Sequence, residues 1–247
     1  MKKTLTIAAI AATMGTLSAS AQDLVAAWDT FDSTAASTST FTATGITATM
    51  AQTSMSNVAT EDRGASSDTT WGSFDGNGTA ASSAIVGTGM NLVSFNGSDG
   101  SFTITLTNGS GSDIDLGAFH FDALAFRPNT ARDFSLNVQA GGAITAGNVF
   151  TSATDAITSL GTAPNAAQDQ HDEYDLDLTS LADNTLEAAG TVTFELSFTG
   201  GLDGSAGHHL WVDNVALSTA AVVPEPSTYA LLGGLFALSF VAMRRRK

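Results

Sequence analysis

The stretch GHHLWVDNVALS, residues 207–218, holds the densest set of side chains able to do chemistry. Two imidazoles, His208 and His209, could each ligate a metal or carry a proton. Neighbours on a strand point to opposite faces, however, so the pair does not readily share one ion. His120 and His171 lie far away without H-x-x-x-H spacing and read as ordinary surface or sandwich-rim histidines. Oxygen donors cluster in FDGNGT (Asp75, Asn77) and in QDQHDEYDLD (Asp169, Asp172, Glu173, Asp175, Asp177). Calcium takes about six to eight oxygens from a shaped loop. Neither stretch has the D-x-[DN]-x-[DN]-G spacing that would supply them. In YDLDL the acids alternate with leucine, as on any exposed strand face. A glycosidase needs two carboxylates about 5 Å or about 6.5–9.5 Å apart, and no stretch singles out a pair. There is no G-x-S-x-G elbow, P-loop or HExxH motif. The chain has no cysteine, which excludes thiolate catalysis, iron–sulfur clusters and thiolate zinc sites. The body is therefore expected to be non-enzymatic, with a secreted hydrolase as the last alternative and no certain cofactor.

The elements that would position these residues read as strands. SFTITLTN puts Phe102, Ile104 and Leu106 on one face and Thr103, Thr105 and Thr107 on the other. TVTFELSF does the same with Val192, Phe194, Leu196 and Phe198. FSLNV (Phe134, Leu136, Val138) and YDLDL (Tyr174, Leu176, Leu178) repeat the period of two that marks strands buried on one side. The Asn-Gly pairs in FNGSDGSF and TNGSGSD read as tight turns that accept positive φ. No run has convincing helical periodicity; TSLADNTLEAAG predicts at most a turn or two of helix around Leu181 and Leu186. Residues 22–84 are weaker in pattern and are expected to give edge strands and long loops. The predicted fold is all-β, a single β-sandwich or jelly roll spanning residues 22–221.

Net charge is −15. All but one of the 24 Asp and Glu residues lie between Gln22 and Val223, where the only cations are Arg63, Arg127 and Arg132. Such a surface repels phosphates and anionic headgroups at long range, which argues against nucleic acid as a partner.

Both ends of the chain read as targeting segments. Lys2 and Lys3, the apolar run LTIAAIAATMGTL, and Ala19 and Ala21 in A-x-A spacing describe a signal peptide over residues 1–21, cut by signal peptidase. At the other end, residues 228–243 are uncharged and mostly apolar. As a helix they would cover about 24 Å, short of the ~30 Å hydrocarbon core, with snorkelling and local thinning to close the gap. Arg244, Arg245, Arg246 and Lys247 then form a membrane stop on the cytoplasmic side.

Two resemblances follow from these residues. VPEPSTYALLGGLFALSFVAMRRRK is similar to the PEP-CTERM sorting domain: a Pro-Glu-Pro motif, one short membrane span, then a basic cluster. The resemblance implies that Pro224, Glu225 and Pro226 in the 222–247 tail are recognised by an exosortase. It also implies a transient anchor in the inner membrane of a Gram-negative bacterium. Export then leads to the cell surface or to an exopolysaccharide-rich biofilm matrix. WVDNVAL in turn resembles the closing strand of galactose-binding-like and carbohydrate-binding jelly rolls. That likeness implies a structural calcium joining Asp213 to Asp29 or Asp32; alternatively, Asp213 and Asn214 satisfy backbone groups at a strand bend. The expected role is an exported surface or matrix protein. The alternative is a carbohydrate-binding module whose glycan contacts come from Trp28, Trp71, Trp211 and Tyr174, although sandwich tryptophans are also core residues.

Overall fold

Alternating side chains dictate the architecture, and the computed structural model shows how far. It describes residues 22–29, 36–38, 41–52, 58–61, 70–74, 89–94, 100–160, 170–202 and 208–220. The signal segment with Ala19 and Ala21, Asp32, the Asp75–Asn77 loop, the Asn-Gly turn at 96–97 and the whole 222–247 tail lie outside these residues.

In chain order the described strands are β1 (Leu24–Trp28), β2 (Ala36–Thr38), β3 (Phe41–Thr42), β4 (Ile46–Gln52), β5 (Val58–Glu61), β6 (Gly89–Ser94) and β7 (Gly100–Asn108). They continue as β8 (Ile114–Ala125), β9 (Asp133–Val138), β10 (Gly147–Thr151), β11 (Asp172–Asp177), β12 (Thr185–Leu186), β13 (Thr191–Thr199) and β14 (His208–Thr219). They build two antiparallel sheets in a sandwich. The smaller runs β10-β9-β13-β7-β4-β2. The larger runs β11-β8-β14-β1-β3, with β12 added to β8, and with β6 on β14 carrying β5.

The smaller sheet is the one alternation describes. Phe102, Ile104, Leu106, Val192, Phe194, Leu196, Phe198, Phe134, Leu136 and Val138 all point inward and are buried. The intervening threonines turn outward and bond across strands, Thr105 Oγ1 to Thr193 Oγ1 at 2.9 Å and Thr107 Oγ1 to Thr191 Oγ1 at 3.1 Å. The core between the sheets is aromatic at its centre. Phe121 is 4.8 Å from Tyr174 in a stacked pair and 5.1 Å from Phe134 edge-on.

Three expectations need correction. The helical turn around Leu181 and Leu186 is absent. Residues 178–182 are turns, and β12 pairs with Ile114 and Asp115 instead, which satisfies its backbone groups on β8. The weakly patterned N-terminal region supplies more than edges: β1 sits between β14 and β3 with all five residues buried, and β4 lies inside the smaller sheet. In the TNGSGSD turn the positive φ falls on Gly111 (82°), not on the Asn-Gly pair. Asn108 ends β7 fully buried, where its Nδ2 donates to the carbonyls of Ser112, Leu186 and Glu187. That amide staples the 109–112 turn to the strand of β12.

Candidate functional site

The central strands of the larger sheet differ from the smaller sheet in being buried on both faces, while β11 at its edge alternates with exposed residues, Asp175 among them. Every residue of β1, nearly all of β8, and 210–218 of β14 are buried. On β8, Phe119, Phe121, Ala123 and Ala125 face the sandwich core, so His120, Asp122 and Leu124 lie on the opposite, outer face. The register of the neighbours brings polar side chains to the same face. His120 pairs with Asp175 on β11 and with Ala216 on β14, and Ser218 follows Ala216 two residues on.

The outcome is a continuous chain of hydrogen bonds across three strands. His120 is 2% exposed. Its Nδ1 lies 2.6 Å from Asp175 Oδ1 and its Nε2 lies 2.8 Å from the Ser218 hydroxyl. Burial pushes the Asp175 carboxyl upward. The hydrogen bonds from His120 and Ser73, with the charge of His120, outweigh burial and hold it below the usual 3.8. An ionised Asp175 accepts from Nδ1–H, which leaves Nε2 as the acceptor for the Ser218 O–H.

A small turn caps this chain. Trp71 and Phe74 exchange backbone hydrogen bonds of 2.7 and 3.0 Å around Gly72 and Ser73. Gly72 has φ 53° and is so close that an added Cβ would fall 2.6 Å from Asp175 Oδ1 and from the Tyr174 carbonyl, so only glycine fits. Ser73 donates to Asp175 through both its hydroxyl and its backbone N–H. The Phe74 ring stacks on the His120 imidazole at 5.1 Å. Trp71 packs into a small apolar cluster with Leu24, Ala27 and Ala216.

A lower folded-state pKa at Asp175 means that its contribution to stability is present above 3.8 and is lost as pH falls through the folded value. The melting temperature is expected to drop as pH is lowered below about 4. Asp175→Asn should flatten that part of the profile; an unchanged acid limb would show that the carboxylate carries no such linkage.

The acidic residues singled out in the sequence are placed differently from one another. Asp213 stands directly opposite Asp122 across β14 and β8, both fully or almost fully buried. Asp213 Oδ1 accepts from the Asn214 N–H at 2.9 Å, and Asn214 Nδ2 donates to Asp122 Oδ2 at 2.7 Å. Asn214 has φ 48° and sits where β14 slips register between Asp213 and Ala216. The carboxylate thus satisfies the backbone at a bulge, as one of the two readings of WVDNV expects. Asp29 is buried just beyond Trp28, which pairs with Val215. Among the described residues no group of three or more His, Asp or Glu side chains is arranged to hold a metal ion.

The aromatic platform is corrected outright. Trp28, Trp71 and Trp211 are 0%, 2% and 0% exposed, so none offers a face to a sugar ring. Tyr174 is half-buried, stacked on Phe121, with its hydroxyl donating to the Ala156 carbonyl at 3.0 Å. Burial, then the nearby Asp172 carboxylate, push its phenol far up. His208 and His209 begin β14, paired with Ser94 and Val93 on β6. No sequence motif announces the Ser218–His120–Asp175 chain, whose partners are 98 and 55 positions apart.

Comparison with known proteins adds one firm statement. No curated protein matches the chain. Among solved structures, the chain is similar to the family 11 carbohydrate-binding module from Clostridium thermocellum in complex with a beta-1,3-1,4-mixed-linked tetrasaccharide. The identity is 10%, covering 81% of this chain and 99% of that one, with a TM-score of 0.34. The family 11 module of a cellulosomal cellulase of the same organism gives 10% identity, 85% and 99% coverage and a TM-score of 0.33. TmCBM61 in complex with beta-1,4-galactotriose gives 11% identity, 52% and 68% coverage and a TM-score of 0.27. These superpositions are loose, and the two-sheet sandwich rests on its own strand pairing. The tail is another matter: residues 222–247 match the PEP-CTERM protein-sorting motif, so the chain carries that motif at its C-terminal end.

Proposed function

We propose that the protein is a component of the cell surface or extracellular matrix, delivered by its PEP-CTERM tail and held in contact with exopolysaccharide. The observation that carries this reading is the sorting motif at 222–247. The signal-like residues 1–21, with Ala19 and Ala21 before the cut, support export. The body suits a hydrated, neutral polymer. The outer face of its smaller sheet presents Thr47, Thr49, Thr105, Thr107, Thr191 and Thr193 in cross-strand register, a patch of hydroxyls with Glu195 beside it, bonded to Gln139. Contact with a polymer needs no turnover, so this role makes no demand for catalysis.

Affinity electrophoresis tests the polymer contact. The purified protein is run through native gels with and without the exopolysaccharide of its host. Selective retardation in the polymer gel is expected. Equal mobility in the two gels would remove the polymer from the proposal while leaving the sorting route intact.

A further inference from the structure

The geometry points to an acyl-transfer centre on the outer face of the larger sheet, with Ser218 as nucleophile, His120 as general base and Asp175 as the residue that positions the imidazole. This goes beyond the sorting and polymer-contact role and depends on neither. A serine nucleophile needs a base within hydrogen-bond reach and a third group to hold the base's tautomer. Here the two links are 2.8 Å and 2.6 Å, in the order serine, histidine, carboxylate. The Asp175 carboxyl is held in its ionised form, as an orienting acceptor must be.

Three further observations single out Ser218. First, β14 slips register on both sides of it, against β1 between Leu24 and Ala26 and against β8 between Ser218 and Thr219. Bulges of this kind re-aim side chains and concentrate beside active sites. Second, the Trp71 indole N–H is buried without a hydrogen-bond partner. Trp71 packs on Ala216, the residue paired with His120, so a spare donor stands on the same face. A buried donor left unmade costs energy in the resting protein and is available to a developing oxyanion. Third, the cap is one short turn. Trp71 and Phe74 exchange two backbone hydrogen bonds and both pack on the cluster of Leu24, Ala27 and Ala216, while Ser73 bonds Asp175 and the Phe74 ring stacks on His120. Ser218 and His120 are both buried, so substrate enters when the Phe74 ring moves off the imidazole.

The chemistry balances with water alone. Ser218 Oγ adds to the carbonyl carbon of an ester while its proton passes to His120 Nε2. The bond from that carbon to the alcohol oxygen breaks, and the alcohol leaves with the Nε2 proton. Water then attacks the acyl-serine, gives its proton to Nε2, and the Ser218 oxygen recovers that proton as the carboxylic acid departs. A serine nucleophile with a histidine base acts on an acyl carbon, so the substrate class is a carboxylic ester.

The test treats the purified full-length protein with a fluorophosphonate probe and locates the adduct by peptide mass, alongside turnover of p-nitrophenyl acetate. A single adduct on Ser218 is expected, formed several-fold faster in Phe74→Ala, whose cap is loosened. Ser218→Ala should lose both adduct and turnover. Asp175→Asn should lower kcat by roughly 10²-fold or more with KM little changed, the pattern of a positioning residue. Wild-type and Phe74→Ala proteins that are folded by circular dichroism yet both unlabelled would overturn the proposal. An adduct on any other residue would do the same. The mass assignment needs no variant, so a Ser218→Ala protein that fails to fold leaves the decision intact, and none of these outcomes bears on sorting or polymer retardation.

Discussion

Replacing Pro224, Glu225 and Pro226 together by alanine is expected to leave nearly all of the protein in the membrane fraction of a host that makes an exosortase. Proline restricts φ to about −65° and disfavours the helical region for the residue before it, here Val223 and Glu225. If residues 228–243 form the expected apolar helix, a stretch so constrained would stay out of it, and on the sorting proposal its peptide bonds would stay open to the exosortase. Alanine reverses this. It has the highest helix propensity, so the span would extend into the cleavage region. The Arg244–Lys247 cluster would still hold the tail in place, which predicts accumulation of an anchored, unprocessed form. Cell fractionation with an antibody to the body measures it directly. Glu225→Gln alone separates recognition of the charge from the backbone effect of the prolines. Normal release of the triple variant would defeat the assignment of the tail as the sorting signal in this chain.

The largest effect on the body is expected from Phe121→Ala. Phe121 is fully buried and meets four rings: Phe119, Phe134, Tyr174 and Phe198. It stands on β8, where the inner face of the larger sheet meets β9 and β13 of the smaller. Truncating a buried Phe typically costs about 3–5 kcal/mol, from lost transfer energy and from the cavity left behind. Whole domains are stable by only about 5–15 kcal/mol, so the variant should lie near the edge of folding. Urea unfolding is expected to show a midpoint lowered by a large fraction with an unchanged slope. A shift of less than about 1 kcal/mol would mean that the ring cluster does not form the centre of the core.

Which parts of the fold were legible depends on which faces meet water. β7, β9 and β13 alternate cleanly because one face packs on the core and the other is solvated, and their inward residues were all identified. β8 alternates too, as F-H-F-D, but its polar positions are also buried. The period of two there assigns sides correctly and exposure wrongly. The expected helical turn around Leu181 and Leu186 is not there because leucines five apart fit a loop and a two-residue strand as well as a helix. The tail was legible outright, since its meaning lies in contiguous residues. The Ser218–His120–Asp175 chain was not. Its members come from three strands, and a shift of one residue in either register would place them on different faces. In the sequence Asp175 is one acid in an alternating strand, and Ser218 is one serine among many. Residue type leaves the tryptophans open between glycan contact and core; packing puts all three in the core.

The pairing of β1 with β14 has a kinetic meaning. The N–H of Asp23 donates to Thr219 Oγ1 across 196 positions, and the strands beside it pair from Leu24↔Ser218 to Trp28↔Val215. Contacts of such sequence separation form late, because the chain between them must first be gathered. β14 is also the strand against which β8, β1 and β6 all align. Until it arrives, the larger sheet is three unjoined pieces, whereas β7, β9, β13 and β4 already have one another. A chain made from its N-terminus therefore has one half of its sandwich able to assemble and the other waiting. For that interval its safety from proteases and aggregation rests on how fast residues 208–219 follow.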